Sequence, residues 1–445
     1  MRNTAMNVVT PLRTAAEQAL AAAVEQRLQS QPVAGRIGEL RRAAATAFSE
    51  GGLPTRRVEE WKYTDLKAIL RDAVPLAGPL DASAEAEGSF KALTVPGAKR
   101  ILFVNGALAR PASDLLALES GIAALPLESA IASNDPLAER IGALQPQRYD
   151  APLALNTVFL GEGLLVRVAA GAKIAAPLHI ANVFTGDDPV ATYGRVVVVV
   201  EDGAEVTLVE SFQGRDGVAY QTNTALELFV GDGAHVDLVR VQEEGDAALH
   251  LSTVMVEIGR EAQLHTFALN SGAKASRTSL YGRFGGQHSH AGLRGANLLK
   301  GKQHQDTTLL LDHAVPHCES RELFKTVLAD ESHGVFQGKI VVRPDAQKTD
   351  GRMMSRALLL GEAAEMDNKP ELEIFADDVQ CGHGATAGDL DEDLLFYLKA
   401  RGIPQRQAEA LLVQAFVGEA IEFVENEALR ELIIARAETW LAKRA

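Results

Sequence analysis

The chain has 445 residues, 47% of them apolar and 23% charged, a balance that fits a folded protein longer than the roughly 250 residues one core usually organises. Its formal net charge of −15, with no basic cluster, excludes nucleic acid or an anionic membrane as the main partner. Two cysteines, Cys318 and Cys381, exclude a disulfide framework and a self-contained four-thiolate cluster, and no apolar run reaches the ~18 residues of a bilayer span.

The N-terminal stretch MRNTAMNVVTPLRTAAEQ lacks the continuous apolar segment and cleavage site of a signal peptide, so a cytoplasmic chain with free thiols is expected. Residues 12 to 50 alternate Ala and Leu with Glu, Gln and Arg, a helical composition ending at Gly51 and Gly52. Next, RRVEEWKYTDL brings Trp61 and Tyr63 beside a charged run, where the pair is expected to pack the N-terminal helices. RILFVNGALA reads as a strand followed by an Asn105-Gly106 turn. An N-terminal helical and mixed region is therefore expected over 1–150.

From about residue 155 the texture changes to short β-branched runs divided by Gly and Asp. VAAGAKIAAPLHI, VVEDGAEVTLVES, FVGDGAHVDLVRV and EIGREAQLHTFAL can be superimposed, and their turn positions Gly171, Gly203, Gly233 and Glu261 step by 32, 30 and 28 residues. A repeat of ~30 residues built from strand, turn and strand cannot bury its face alone, so successive units are expected to stack as a parallel β-helix over 151–388. Strand texture continues beyond residue 300, where the register is no longer visible. A β-sandwich with irregular loops is the competing architecture.

After Gly388 the pattern returns to helices over 389–445. Asp389 or Asp391 can cap LDEDLLFYLKAR, Gly402 ends it, and Pro404 opens a segment with Leu411, Leu412, Ala415 and Phe416 at helical spacing. NEALRELIIARAETWLAKR closes the chain. Such helices are expected to cap the solenoid against end-to-end association.

Histidines gather in the second half: His288, His290, His304, His313, His317, His333 and His383. His288 and His290, two apart on a strand, have the spacing to share a metal, and His313, His317 and Cys318 lie near Asp306 and Asp312. Inter-coil hydrogen bonding is the simpler use for histidines on such strands. Cys381 and His383, in DDVQCGHGAT, are too local a pair for a nucleophile and its base. Asp377 and Asp378 read by default as turn residues. A carboxylate cluster of the kind used by polymer-degrading β-helix enzymes is the alternative for them, and an enzyme acting on a carbohydrate or related polymer is the alternative function.

Three stretches, RRVEEWKYTDL, HQDTTLLLDHAVPHCESRELFKTVLADESHGVFQGKIVVRPDAQKTDGRMMSRALLL and NKPELEIFADDVQCGHGATAGDLDEDLLFYLKARGI, resemble the SufD family, scaffold subunits of the SUF iron–sulfur cluster assembly machinery and homologues of SufB. The resemblance implies a mainly β fold, a right-handed parallel β-helix between helical N- and C-terminal regions. It implies a non-enzymatic scaffold that pairs with SufB through the late β-helix and docks the SufC ATPase through its C-terminal helices, with Leu394, Phe396, Tyr397 and Leu398 as candidate SufC contacts.

Carried over by motif, His383 is the expected ligand of iron or a nascent cluster at the SufB interface, with Cys381 beside it either as a second ligand or as a buried apolar residue. Gly382 replaces the family's usual Ser, which leaves the fine positioning of the ligand open. No tightly bound cofactor is expected in the isolated chain; a transient cluster belongs to the complex, and flavin on the complex is left open. An exposed partner-binding surface would let the isolated chain pair with itself as a homodimer.

Overall fold

A computed structural model describes residues 13–78 and 92–444 of the chain. The first twelve residues, which include most of the stretch inspected for a leader, lie outside the described residues. The middle of the chain is a two-sheet β-solenoid, with nine strands in the first sheet and ten in the second among the described residues. Each coil contributes one strand to each sheet, and every neighbouring pair from Gly163 onward is parallel. The sandwich alternative is thereby ruled out.

The repeat persists where the sequence lost it. In the first sheet Ala191 pairs with Gln221, Gln221 with Leu249, Leu249 with Ala275, Ala275 with His304, His304 with His333 and His333 with Glu365, so every coil spans between 26 and 32 residues. One corner of seven successive coils holds a residue in the left-handed region. Gly171, Gly203 and Gly233 occupy it first, with φ of 65 to 68°, and then Glu261, His288, His317 and Lys348, with φ of 55 to 63°. These corners are stitched by backbone bonds from one coil to the next, as from Gly203 N–H to Asp232 and from Lys348 N–H to Asp378.

Inward-facing residues such as Val198, Leu228, Val256, Leu238, Leu264 and Leu293 form one continuous interior. The strand Lys99–Val104, from the mixed N-terminal region, extends the second sheet by pairing in parallel with Leu178–Phe184. Both outer faces are covered as well, which is why segments such as Val196 to Val200 read as unbroken apolar runs rather than alternating ones.

On the first sheet lies the fully buried helix Ala151–Val158, bonded through Asn156 Nδ2 to the carbonyls of Gly194 and Asn223. Helices Ala15–Ser30 and Gly35–Gly51 pack against it. The helical composition over 12–50 thus forms two helices, separated at Pro32, which disfavours helical backbone at the residue before it. Thr14 and Glu17 close a capping box at the first helix. Trp61 is buried among these helices, with the Arg277 guanidinium 3.9 Å above its ring and Arg277 in turn paired with the buried Asp306.

The C-terminal helices Glu392–Ala400, Gln405–Ile421 and Glu427–Arg444 do not cap the solenoid. The last two pack on the outer face of the second sheet, where Val239, Val241, Phe267, Leu269, Leu298 and Val327 meet Val413, Val417, Ile421, Ile433 and Trp440. That apolar outer face outcompetes the polar end of the coil for their burial. The buried stripe of the middle helix is therefore Val413, Val417 and Ile421; Leu411 and Ala415, expected among its packing residues, are exposed.

Candidate functional site

With no helix across it, the C-terminal end of the solenoid is open. Among the described residues Glu365–Ile374 ends the first sheet and Gln380–Gly388 ends the second, so each presents one unpaired edge. Such edges template pairing with another chain unless blunted. Pro370, without an amide proton, blunts the first. The second carries only small residues around its histidine: Gly382, Gly384, Ala385, Ala387 and Gly388.

DDVQCGHGAT forms the last corner and the last strand. Asp378 accepts the Lys348 amide and its carboxylate pairs with Lys348 Nζ, while its own amide donates to Gln347 Oε1 at 2.9 Å. That is the turn role expected of it. Gln380 N–H then bonds Thr349 at 2.8 Å and the strand runs parallel to Asp350–Leu359, with Cys381 opposite Gly351 and His383 opposite Met353.

The register fixes where the histidine points. Leu293, Glu322, Met353 and His383 follow one another on successive coils, and Leu293 and Met353 belong to the solenoid interior. His383 therefore continues an inward-facing column at the one coil with nothing stacked below it, which leaves the imidazole exposed at the mouth of the interior. Cys381, two residues earlier, shares that face, is half-buried and packs against the same interior. Gly382 points the other way, and a Cβ there would meet no atom within 4 Å. A serine there would meet no steric obstacle at its Cβ.

Around the pair opens a groove of about 750 Å³, lined also by Glu322, Met353, Arg321, Arg352 and Phe423. Burial raises the pKa of the Cys381 thiol, and the Asp350 carboxylate pushes it the same way, so the thiol keeps its proton at neutral pH. This is not the environment of a nucleophile. Glu322, which nothing in the residue pattern singles out, is a buried acidic group of the groove. Neither of its carboxylate oxygens has a hydrogen-bond partner, and burial raises its pKa to about 8 against weak opposition from Ser320, Arg321 and Arg294. It is neutral over most of the physiological range and stands as a proton source one coil beyond Met353.

The remaining histidines are placed by the solenoid itself. His288 sits in the left-handed corner with its ring stacked 4.7 Å from His317, whereas His290 faces out from its strand toward His265. The two do not share a ligand point. His313 is fully buried, bonds Ser320 at 3.1 Å, and is held neutral by burial, which lowers its pKa to about 3. His304 and His333 form an inter-coil ladder from Thr64 to Asp367, with separations of 2.8, 3.2 and 2.8 Å. Cys318 is buried with its thiol on the carbonyls of Gly286 and Pro316. None of these joins a group of three or more metal-binding side chains among the described residues.

A second surface lies on helix Glu392–Ala400, capped by Asp391. Leu394, Phe396 and Tyr397 are exposed, Phe396 at 73%, and Leu398 is half-buried. Leu411 on the adjoining helix and Phe423 beyond it are exposed too. Three exposed apolar side chains on one nine-residue helix exceed the scattered single exposures of an ordinary protein surface. Among the described residues no helix is long and apolar enough to cross a membrane.

Comparison with known proteins identifies two family models in the chain: "SUF system FeS cluster assembly, SufBD core domain" over residues 182–416, and "SufBD protein N-terminal region" over residues 19–180. The chain is 31% identical over 392 residues to the iron–sulfur cluster assembly protein SufD of Escherichia coli, covering 86% of this chain and 88% of that protein. It is 29% identical over 433 residues to an iron–sulfur cluster assembly SufBD family protein of Synechocystis, covering 94% of each. To the iron–sulfur cluster assembly protein SufD of Bacillus subtilis it is 26% identical over 291 residues, 63% of this chain and 65% of that protein.

Proposed function

The chain belongs to the SufBD family of iron–sulfur cluster assembly proteins, and from that premise we propose that it is the SufD-like, non-catalytic scaffold subunit of a cytoplasmic SufBCD complex. It pairs with SufB through the terminal coil and docks SufC through the C-terminal helices. The observation that carries this reading is the open end of the solenoid, where two unpaired strand edges flank an exposed His383. A lone imidazole with a protonated thiol beside it is half of a ligand set, and a second chain added at that edge would supply the other half.

His383 takes iron or the nascent cluster, which is cargo rather than a resident cofactor. Neutral imidazole suits that task, because it holds iron less tightly than thiolate and lets the product leave. Cys381 becomes a ligand only on losing its proton, which bound iron would promote. The exposed Leu394, Phe396, Tyr397 and Leu411 form the SufC surface, with Leu398 partly beneath them. In the absence of SufB the same edges support a homodimer.

Co-expression with SufB and SufC tests the reading. A stable ternary complex that stimulates SufC ATP hydrolysis is the expected result, and a chain that ignores both partners would overturn it. Removal of residues 390–445 is expected to abolish SufC association; because these helices also cover the second sheet, the accompanying control is a chain with Phe396→Ser alone.

A further inference from the structure

Away from the terminal coil, one other set of metal-binding side chains converges. His235 and Asp237 alternate on the outward face of strand His235–Glu243, His265 lies on the same face of the next coil's strand, and Glu425 comes from the loop between the last two helices. One donor atom from each lies within 4.8 Å of all the others. Three separate elements thus bring two imidazoles and two carboxylates to one point.

The spacing distinguishes a metal site from a hydrogen-bond network. His235 Nε2 is 3.5 Å from Asp237 Oδ1, His265 Nδ1 is 3.4 Å from the same oxygen, and His265 Nδ1 is 3.2 Å from Glu425 Oε1. A charge-assisted hydrogen bond would close to about 2.8 Å. Elsewhere in this protein imidazole and carboxylate do close, at 2.8 Å for His333 with Asp367. Here they stand apart, and the buried Nε2 of His235 has no hydrogen-bond partner. A tetrahedral ion with bonds of ~2.0–2.1 Å holds its ligand atoms roughly 3.3–3.4 Å from one another. These separations match three of the six edges of that tetrahedron, and the other three pairs of donor atoms lie within 4.8 Å.

We propose that His235, Asp237, His265 and Glu425 form a tetrahedral site for a divalent transition metal of the zinc class, which staples the loop ahead of the last helix to the flank of the solenoid. Two neutral imidazoles and two carboxylates balance the ion's charge. Gly292, opposite His265 on the next coil, keeps that ring clear: a Cβ there would come within 3.3 Å of His265 Cδ2 and 2.5 Å of Arg294 Nη1. The loop is already aligned by Arg294, stacked 3.6 Å over Phe423, so little order is lost when the ion binds. This site is distinct from His383 and independent of the cargo reading.

The test uses the full-length chain, stripped with a chelator and titrated with Co²⁺, whose visible absorption is intense in tetrahedral and weak in octahedral coordination. One equivalent should give intense bands that Zn²⁺ displaces. His265→Ala should abolish them, and Glu425→Gln, in a half-exposed loop side chain that does not endanger folding, should weaken affinity at least tenfold. His383→Ala and Cys381→Ala should leave them unchanged. No bands in the wild-type chain, an octahedral spectrum, or bands that survive Glu425→Gln at full affinity would overturn the proposal, as would bands that disappear with His383→Ala.

Discussion

Lys325 and Glu419 meet at 2.6 Å across the junction between the second sheet and helix Gln405–Ile421, and the lysine side chain is wholly buried while the glutamate is 54% exposed. The ammonium also sits 4.3 Å from the Phe416 ring. Burial lowers the Lys325 pKa and Glu419 opposes that shift. The interaction is thus asymmetric: loss of the glutamate strands a buried charge near Arg356, whereas loss of the lysine leaves a carboxylate in water.

From this asymmetry, Glu419→Ala is expected to destabilise the chain by about 2 kcal/mol, and Lys325→Met by less than about 1 kcal/mol, because the apolar wall accepts a thioether. Urea titrations of the two variants measure the difference. Equal losses would show that the ion pair itself, not the stranded charge, sets the cost.

Glu261 occupies the solenoid corner with φ of 55°, where the three preceding coils use glycine. Its side chain makes only a loose, exposed contact with Arg260 at 3.7 Å. Glu261→Gly should therefore relieve the left-handed strain at little cost in contacts and stabilise the chain by about 1 kcal/mol. Destabilisation would mean that the unfolded chain's gain in freedom outweighs the relief.

This corner also explains how far the sequence could be read. The repeat was legible while Gly171, Gly203 and Gly233 marked it. It faded where Glu261, His288, His317 and Lys348 take the same backbone conformation, because composition no longer signals the turn. The Cys381 and His383 spacing could be read as one face of a strand, since that relation is local. Glu322 could not, because coil stacking alone brings it into the column with Met353 and His383. The position of the C-terminal helices was hidden for a similar reason: strands buried on both faces give apolar runs that do not say which face receives a helix.

Glu322 makes a pH prediction with a definite sign. Its pKa in the folded chain, about 8, lies above the ordinary value of 4.5. Between those pH values the folded chain keeps a proton the unfolded chain has lost, so stability falls as pH rises from about 4.5 to about 8 and levels off above. The full fall is at most about 5 kcal/mol. Glu322→Gln should remove this part of the slope and be the more stable form at pH 8.5. Parallel wild-type and variant slopes in urea titrations at pH 5.5, 7 and 8.5 would show that the carboxyl is not held neutral.

Phe396 is the most exposed of the apolar side chains on its helix and makes little contribution to the core. Phe396→Ser should leave the melting temperature within about 1 °C of wild type, as surface changes usually cost under about 0.5 kcal/mol. Affinity for SufC should nonetheless fall at least tenfold, as expected for an aromatic anchor. Unchanged SufC affinity by calorimetry would move the docking surface elsewhere, with Leu411 and Tyr397 next in turn.

His383→Ala separates assembly from cargo binding. The imidazole is exposed and opposite Met353 only along the backbone ladder, so its removal should cost the fold little and leave the strand edge intact for SufB. Complex yield should be unchanged while iron and sulfide per complex fall several-fold. Cys381→Ala should have the smaller effect, because the half-buried thiol must first give up a proton that burial and the Asp350 carboxylate help it keep. A His383→Ala complex with full cluster content would reject the ligand role. One in which Cys381→Ala is the more damaging change would transfer that role to the thiol, implying that the approach of SufB removes Asp350 from its surroundings.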